Sequence, residues 1–216
     1  MLDGDASNRW LRGALDASAL SSLDRIAKDA GRPGGRVDWT APDTALALAP
    51  VTEAIRTTTA PTARLVRLVW FTKDAQSNWG LPWHQDRIIA VAARHDTPGF
   101  GNWSHKRGIW HCEPPVEILK QMLFVRLHLD ACDETNGAME IARGSEAAGI
   151  VREAEAAATA ARFPTEVSVA QPGDIQVLPM LVLHCSRPAQ TDTPRRALRL
   201  DYALADLPPP LSWYTA

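Results

Sequence analysis

Between residues 63 and 204 the chain is a series of short apolar runs, each ended by a turn signal, and that rhythm excludes most folds. Residues 63–72 and 123–130 are rich in β-branched and aromatic side chains, and 88–92, 137–142, 165–170, 174–184 and 195–204 repeat the pattern. Gln171-Pro-Gly-Asp174 and Arg187-Pro188 punctuate the runs, and Asp133-Glu-Thr-Asn-Gly137 reads as hairpin chemistry. Short runs bounded by Gly, Pro and Asn predict strands. Many short strands in succession bury their apolar faces by pairing two sheets or closing a barrel.

The first 60 residues read differently. Residues 1–14 form an extended lead. A helix is expected from Asp16 to Gly31, with Leu20, Leu23, Ile26 and Ala27 on one face, followed by a loop over 32–36. Residues 42–58 predict one or two short helices broken near Pro50, and 57–61 a second loop. Pro114 and Pro115 open a short helix, and the alanine-rich stretch 146–162 is helical. Residues 95–115, with three histidines, aromatics and glycines, read as a long loop, and loops of that length are usually functional. The expectation is one domain over 1–216. It is mainly β with flanking helices: a helical part over 1–60 and a double-stranded β-helix (a cupin-like jelly roll) over 61–205.

Composition narrows the function classes. The 216 residues carry 23 Lys plus Arg against 25 Asp plus Glu. A net charge of -2 gives no footprint for nucleic acid or an anionic membrane. Three scattered cysteines, Cys112, Cys132 and Cys185, lack zinc-knuckle spacing and point to a reduced compartment. The acidic, polar N-terminus is unlike a signal peptide, and no run is long enough to span a membrane. A soluble cytoplasmic protein is expected, with its oligomeric state open.

The chemistry candidate is Leu81-Pro-Trp-His-Gln-Asp86. Residues i and i+2 of a strand point to one side, so His84 and Asp86 can address one point. With one distant histidine they make the two-His, one-carboxylate set that suits non-haem Fe(II). His128-Leu129-Asp130 repeats the spacing, so the motif alone is weak. His184 closes the apolar run from Ile175 to Leu183, and Arg195 follows eleven residues later. Arginine can clamp a carboxylate with two parallel hydrogen bonds. Strand parity puts Arg195, Ala197, Arg199 and Asp201 on one face, suited to a polar interior. Arg196, Leu198, Leu200 and Tyr202 share the face suited to packing on helices, so Arg196 reads as a structural charge.

LPWHQDR at 81–87, HLDACDETNGAMEIARGS at 128–145 and PGDIQVLPMLVLHCSRPAQTDTPRRALRLDYA at 172–203 carry a resemblance to the phytanoyl-CoA dioxygenase family of Fe(II)/2-oxoglutarate oxygenases. The resemblance implies His84, Asp86 and His184 as iron ligands. It implies Ser186 and Arg195 as holders of the 2-oxoglutarate C5 carboxylate, and Arg126 as part of that pocket. Fe(II), 2-oxoglutarate and O2 would be required, with succinate and CO2 released. Related halogenases lack the carboxylate, so Asp86 favours hydroxylation of a C–H bond. Gly144-Ser-Glu146 departs from the family's usual Gly-Ser-His. Candidates for substrate contact are Lys73, Trp83, Gln85, His105, Arg107 and His111, with an acidic substrate in view. Two other classes stay open at this point: a cupin-type metalloenzyme without 2-oxoglutarate, which would not need Arg195, and a non-enzymatic jelly-roll sensor.

Overall fold

The computed structural model describes residues 2–5, 8–27 and 33–215. Strands β1 (Leu2–Asp5), β2 (Asn8–Leu11), β3 (Gly34–Arg36) and β4 (Arg64–Lys73) lie in a large sheet. β5 (Leu81–His84) crosses to a smaller one, and β6 (Ile89–Val91), β7 (Gly101–Lys106) and β8 (Ile109–Glu113) form a third. Then follow β9 (Met122–His128), β10 (Met139–Ala142), β11 (Thr165–Val167), β12 (Ile175–Pro179), β13 (Leu183–Ser186) and β14 (Arg195–Ala203). The large sheet runs β1-β2-β12-β9-β14-β4-β3, the smaller β11-β10-β13-β5, and the third β6-β8-β7. From β9 onward the chain passes from the large sheet to the smaller one for β10 and β11, returns for β12, crosses again for β13 and returns for β14, which is the winding of a jelly roll.

That winding corrects two expectations. Asp133–Gly137 closes no hairpin, because β9 and β10 belong to different sheets. The Asp133 carboxylate accepts the amides of Thr135 (2.8 Å) and Asn136 (3.3 Å), so the turn caps itself while the chain changes sheet. The run 174–184 is likewise two strands. Pro179 ends the β12 ladder, and the Val182 N–H donates to the Pro179 carbonyl (3.2 Å) in a turn that sends Leu183 to the smaller sheet. Met180, Leu181 and Val182 are buried, so composition does not betray the turn.

The region before residue 61 is not only helical: β1, β2 and β3 extend the large sheet at both edges. The expected 32–36 loop therefore contains a strand, with Gly34 against Phe71 and Arg36 against Val69. Helix α1 (Ala17–Asp24) starts where the Asp16 carboxylate accepts the Ala19 N–H at 2.8 Å, and a 3-10 turn follows over Arg25–Ala27. Its expected end at Gly31 lies outside the described residues. Helix α2 (Pro42–Thr58) passes through Pro50 unbroken. Pro inside a helix costs about 3 kcal/mol. Pro50 faces solvent, while Leu48, Val51 and Ile55 on the other side are buried, each stabilising by roughly 1.5–3 kcal/mol. Packing on both sides of the proline outweighs the local penalty.

Helix α3 (Val116–Leu119) is a single turn. The 146–162 stretch divides into a 3-10 turn over Ser145–Ala148, a break at Gly149 and helix α4 (Glu153–Ala160). Residues 95–115 are not a loop throughout, since they contain the β7–β8 hairpin, turned at Arg107 and Gly108 with φ of 52° and 79°. One core lies between α1, α2 and the outer face of the large sheet, where Val125, Leu127, Leu198, Leu200 and Tyr202 meet Leu48, Val51 and Ile55. A second fills one end of the barrel around Phe124, Ile141, Leu178 and Trp213. Helix α4 covers the smaller sheet through Ala156 and Ala160. Helices thus pack on both sheets. Among the described residues no helix is long and apolar enough to cross a membrane.

Candidate metal centre

β5 and β13 pair so that His84 and His184, a hundred residues apart, are direct cross-strand partners. Directly opposed residues of an antiparallel pair project to one face, and the two rings lie 4.3 Å apart centre to centre. Asp86 sits just past the end of β5 and turns back toward them, its Oδ2 3.2 Å from His184 Nε2. One ligand atom from each of the three falls within 4.8 Å of the others. The imidazoles are oriented alike: His84 Nδ1 is 2.7 Å from the Pro82 carbonyl and His184 Nδ1 3.0 Å from that of Val182. A carbonyl only accepts, so both Nδ1 atoms carry the proton and both Nε2 lone pairs face the shared point. That tautomer is the one a metal needs.

Arg199 sets the electrostatics. It donates to Asp86 Oδ2 with Nη1 and to both oxygens of Asp201 with Nε (2.7 Å) and Nη2 (3.1 Å). Burial alone would raise the Asp86 pKa, but Arg199 and the two histidines hold it well below the usual carboxylate range. Burial and the neighbouring His184 push the His84 pKa down. Asp86 is therefore held as a carboxylate and His84 as a neutral imidazole, the protonation states that bind a divalent cation.

Beside the triad is a cavity of about 270 Å³, lined among others by Phe71, Phe124, Arg126, Met139 and Ser186. Arg126 Nε and Ser186 Oγ are buried there without a hydrogen-bond partner. Arg195 lies deeper, 2% exposed, with Nε unpartnered and Nη1 3.8 Å from Cys132 Sγ. Lys73 is its cross-strand partner and donates to the carbonyls of Arg187 (2.6 Å) and Gly137 (3.4 Å). Burial, then Arg195 and Arg126, push the Lys73 pKa down to about 8. No carboxylate pairs with Lys73, Arg126 or Arg195 among the described ion pairs. Buried donors without acceptors fit an absent anion with several oxygens, and a divalent metal beside them fits the triad.

The other sequence candidates separate by strand parity. His111 lines a second, outer cavity of about 660 Å³ together with Arg107 and Gln85. Gln85 also ties the chain: its amide donates to Gly149 (2.8 Å) and Leu181 (2.7 Å) and accepts from the Val151 N–H (2.9 Å). His105 is on the opposite face of the hairpin, stacked on Trp110 at 4.5 Å. Trp83, between His84 and Pro82, points away from the triad and packs with α4. His128 is fully buried at 5.8 Å from the Trp10 ring; burial, then Arg126 and Arg195, keep it neutral. Its HxD partner Asp130 instead pairs with Arg196, which also reaches Asp24, so this second motif is structural. The sequence reading leaves Arg199 open and gives no role to Arg67, Arg36, Phe71 or Trp79, though all line the two cavities. Parity on β14 was the available signal for Arg199.

A family profile described as phytanoyl-CoA dioxygenase (PhyH) matches residues 20–197. Among solved structures, AviO1 from Streptomyces viridochromogenes is 19% identical with a TM-score of 0.62, covering 94% of this chain and 92% of its own. SnoK, a non-haem α-ketoglutarate-dependent carbocyclase from nogalamycin biosynthesis, is 14% identical with a TM-score of 0.65, covering 93% and 80%. HygX from Streptomyces hygroscopicus, solved with nickel and 2-oxoglutarate, is 16% identical with a TM-score of 0.61, covering 91% and 81%. A search of curated sequences returns no match. At these identities the structural likeness speaks to the fold, and the profile match over most of the chain speaks to descent: the protein belongs to the phytanoyl-CoA dioxygenase family.

Proposed function

We propose that this protein is an Fe(II)- and 2-oxoglutarate-dependent dioxygenase that hydroxylates an unactivated C–H bond of a small molecule and releases succinate and CO2. The observation that carries the reading is the cross-strand pair His84 and His184, with Asp86, beside a cavity where Arg126, and behind it Arg195 and Lys73, have no acidic partner among the described ion pairs. His84, Asp86 and His184 would hold the iron, leaving the remaining positions open. Arg126, Ser186 and Arg195, with Lys73 behind them, would hold the far carboxylate of 2-oxoglutarate. When bound, the iron and 2-oxoglutarate supply the oxidative chemistry that breaks the C–H bond.

The chain's own contribution is orientation and shielding. The Pro82 and Val182 carbonyls fix the imidazole tautomers, and Arg199 keeps Asp86 ionised and aimed. Phe71, Phe124 and Met139 form the apolar wall that keeps water from the reacting centre. The neighbours include a carbocyclase and an epimerase by name, so the same site supports outcomes other than hydroxylation on this fold. Asp86, by keeping the carboxylate ligand, favours hydroxylation. Succinate release that needs both iron and 2-oxoglutarate, with a product 16 mass units heavier than the substrate, tests the assignment; turnover without 2-oxoglutarate would refute it.

A further inference from the structure

The outer cavity adjoins the metal centre, because Asp86 and Arg67 line both. Its wall is strongly basic: Arg36, Arg67, Arg87, Lys106 and Arg107 face one acid, Asp86, which is already turned to Arg199 and His184. Two of the five cations have acidic partners. Arg87 pairs with Glu113 at 3.3 Å, and Arg67 shares Asp201 at 3.6 Å. Arg36, Lys106 and Arg107 have none among the described ion pairs.

Their placement follows from the fold. β7 and β8 put Ser104 opposite His111, so Ser104, Lys106 and His111 share the hairpin face that lines the cavity. The other face carries Trp103, His105 and Trp110, and its tryptophans pack on the second core. Arg36 comes from β3, and its described partner is His111 Nε2, which accepts from its Nη2. That contact fixes the guanidinium but neutralises nothing, and Arg36 Nη1 is buried without a partner. Burial and the nearby Arg67 push the Arg36 pKa down to about 10, outweighing the upward pull of Asp201.

We propose that the substrate is a small molecule bearing a compact, doubly charged oxyanion, a phosphate monoester, seated on Arg36, Lys106 and Arg107 while the carbon to be oxidised faces His84, Asp86 and His184. The proposal rests on the oxygenase reading of the adjoining site. A carboxylate would offset one of the three uncompensated charges. A phosphate monoester is a dianion near neutral pH and offers three acceptor oxygens, one for each of the three cations. The cavity, at about 660 Å³, is within the range of small-ligand sites. A cationic substrate is repelled by the same wall.

Calorimetric titration of the metal-free protein with glycerol 3-phosphate, glycerol and acetate, with and without saturating 2-oxoglutarate, tests this. Glycerol 3-phosphate is expected to bind, glycerol and acetate not, and 2-oxoglutarate is expected to leave its affinity unchanged. Affinity falls about tenfold or more in Arg36→Gln and in the exposed turn variant Lys106→Gln/Arg107→Gln, the scale of a lost charge-assisted hydrogen bond. It is unchanged in Arg64→Gln, whose side chain pairs with Asp206 elsewhere. No binding, equal binding of acetate, binding abolished by 2-oxoglutarate, or indifference to the Lys106→Gln/Arg107→Gln change overturns the proposal. The visible band of Fe(II) with 2-oxoglutarate separates the two levels. A band without phosphate binding refutes the substrate class alone, and phosphate binding without a band refutes the assignment as substrate together with the oxygenase reading.

Discussion

Replacing Arg199 with leucine removes the cation shared by two carboxylates. Asp201 is buried and loses both of its hydrogen bonds to the guanidinium, at 2.7 and 3.1 Å. Arg67, 3.6 Å from Asp201, remains as a partial substitute. Asp86 keeps 27% of its side-chain surface exposed and regains water, so it adds less. Removing one partner of a buried pair costs roughly 3–5 kcal/mol, and the two offsets place this case near the lower end, about 3 kcal/mol. For a chain of this length each kcal/mol moves Tm by about 2–4 °C, so Arg199→Leu is expected to melt about 6–12 °C lower in EDTA at neutral pH. Circular dichroism at 222 nm measures it. Arg199→Leu/Asp201→Asn should regain at least half of the loss, because the stranded buried charge is gone. The sign of the pH dependence follows from Asp86. Its pKa is depressed in the folded protein, so its contribution is present above its ordinary value of 3.8 and is lost as pH falls through the folded value. The gap between wild type and variant therefore narrows in acid. A Tm change under about 2 °C, or a double variant no better than the single one, would refute the reasoning.

Other outcomes follow from the same interior. His128, His84 and His111 all have pKa values below the ordinary 6.5 in the folded chain, so unfolding takes up protons below that pH. Stability should fall on acidification from pH 7 to pH 5, by up to about 1.4 kcal/mol per pH unit per histidine; urea titrations of His128→Phe should show a shallower slope, and an unchanged slope contradicts the assignment. Saturating 2-oxoglutarate at a hundred times its Kd should stabilise the protein by about 2.7 kcal/mol, or roughly 5–10 °C. Arg195→Met should lose most of that shift at the same concentration while its ligand-free form melts no lower, since it sheds an uncompensated buried charge; an undiminished shift contradicts its role. Gly137 has φ +76° and a Cβ there would come within 2.8 Å of Lys73 Nζ and the Arg187 carbonyl oxygen. Gly137→Ala should therefore cost about 1–2 kcal/mol from the left-handed backbone alone and also weaken 2-oxoglutarate by displacing Lys73; wild-type melting and affinity would rule that out.

How much was legible depended on the kind of signal. The pairing of His84 and Asp86 was readable from their spacing, although Asp86 reaches the shared point from just past the end of β5 and not from the strand itself. Their convergence with His184 was legible through the family resemblance and not through spacing, because the β5–β13 register is a property of the winding. Parity on β14 separated Arg196 from the inward residues correctly and put Arg199 beside Arg195, but only the folded chain shows Arg199 against Asp86. The 95–115 hairpin was hidden by its polarity, since one face lines a cavity. Its alternation was nonetheless present: Asn102, Ser104 and Lys106 against Trp103 and His105. Arg36 carried no usable signal, because β3 is three residues long with two glycines and is a strand only by virtue of the β4 edge it pairs with. Pro50 misled in the other direction, as local propensity yielded to burial on either side.

The central claim is that His84, Asp86 and His184 hold an iron to which 2-oxoglutarate binds. Anaerobic titration of the protein with Fe(II) and then 2-oxoglutarate tests it directly through the visible charge-transfer band of the complex. The wild type should develop the band at one equivalent of each, and Asp86→Ala should develop none while His128→Ala retains it. Absence of the band from the wild type, or an undiminished band in Asp86→Ala, would contradict the assignment.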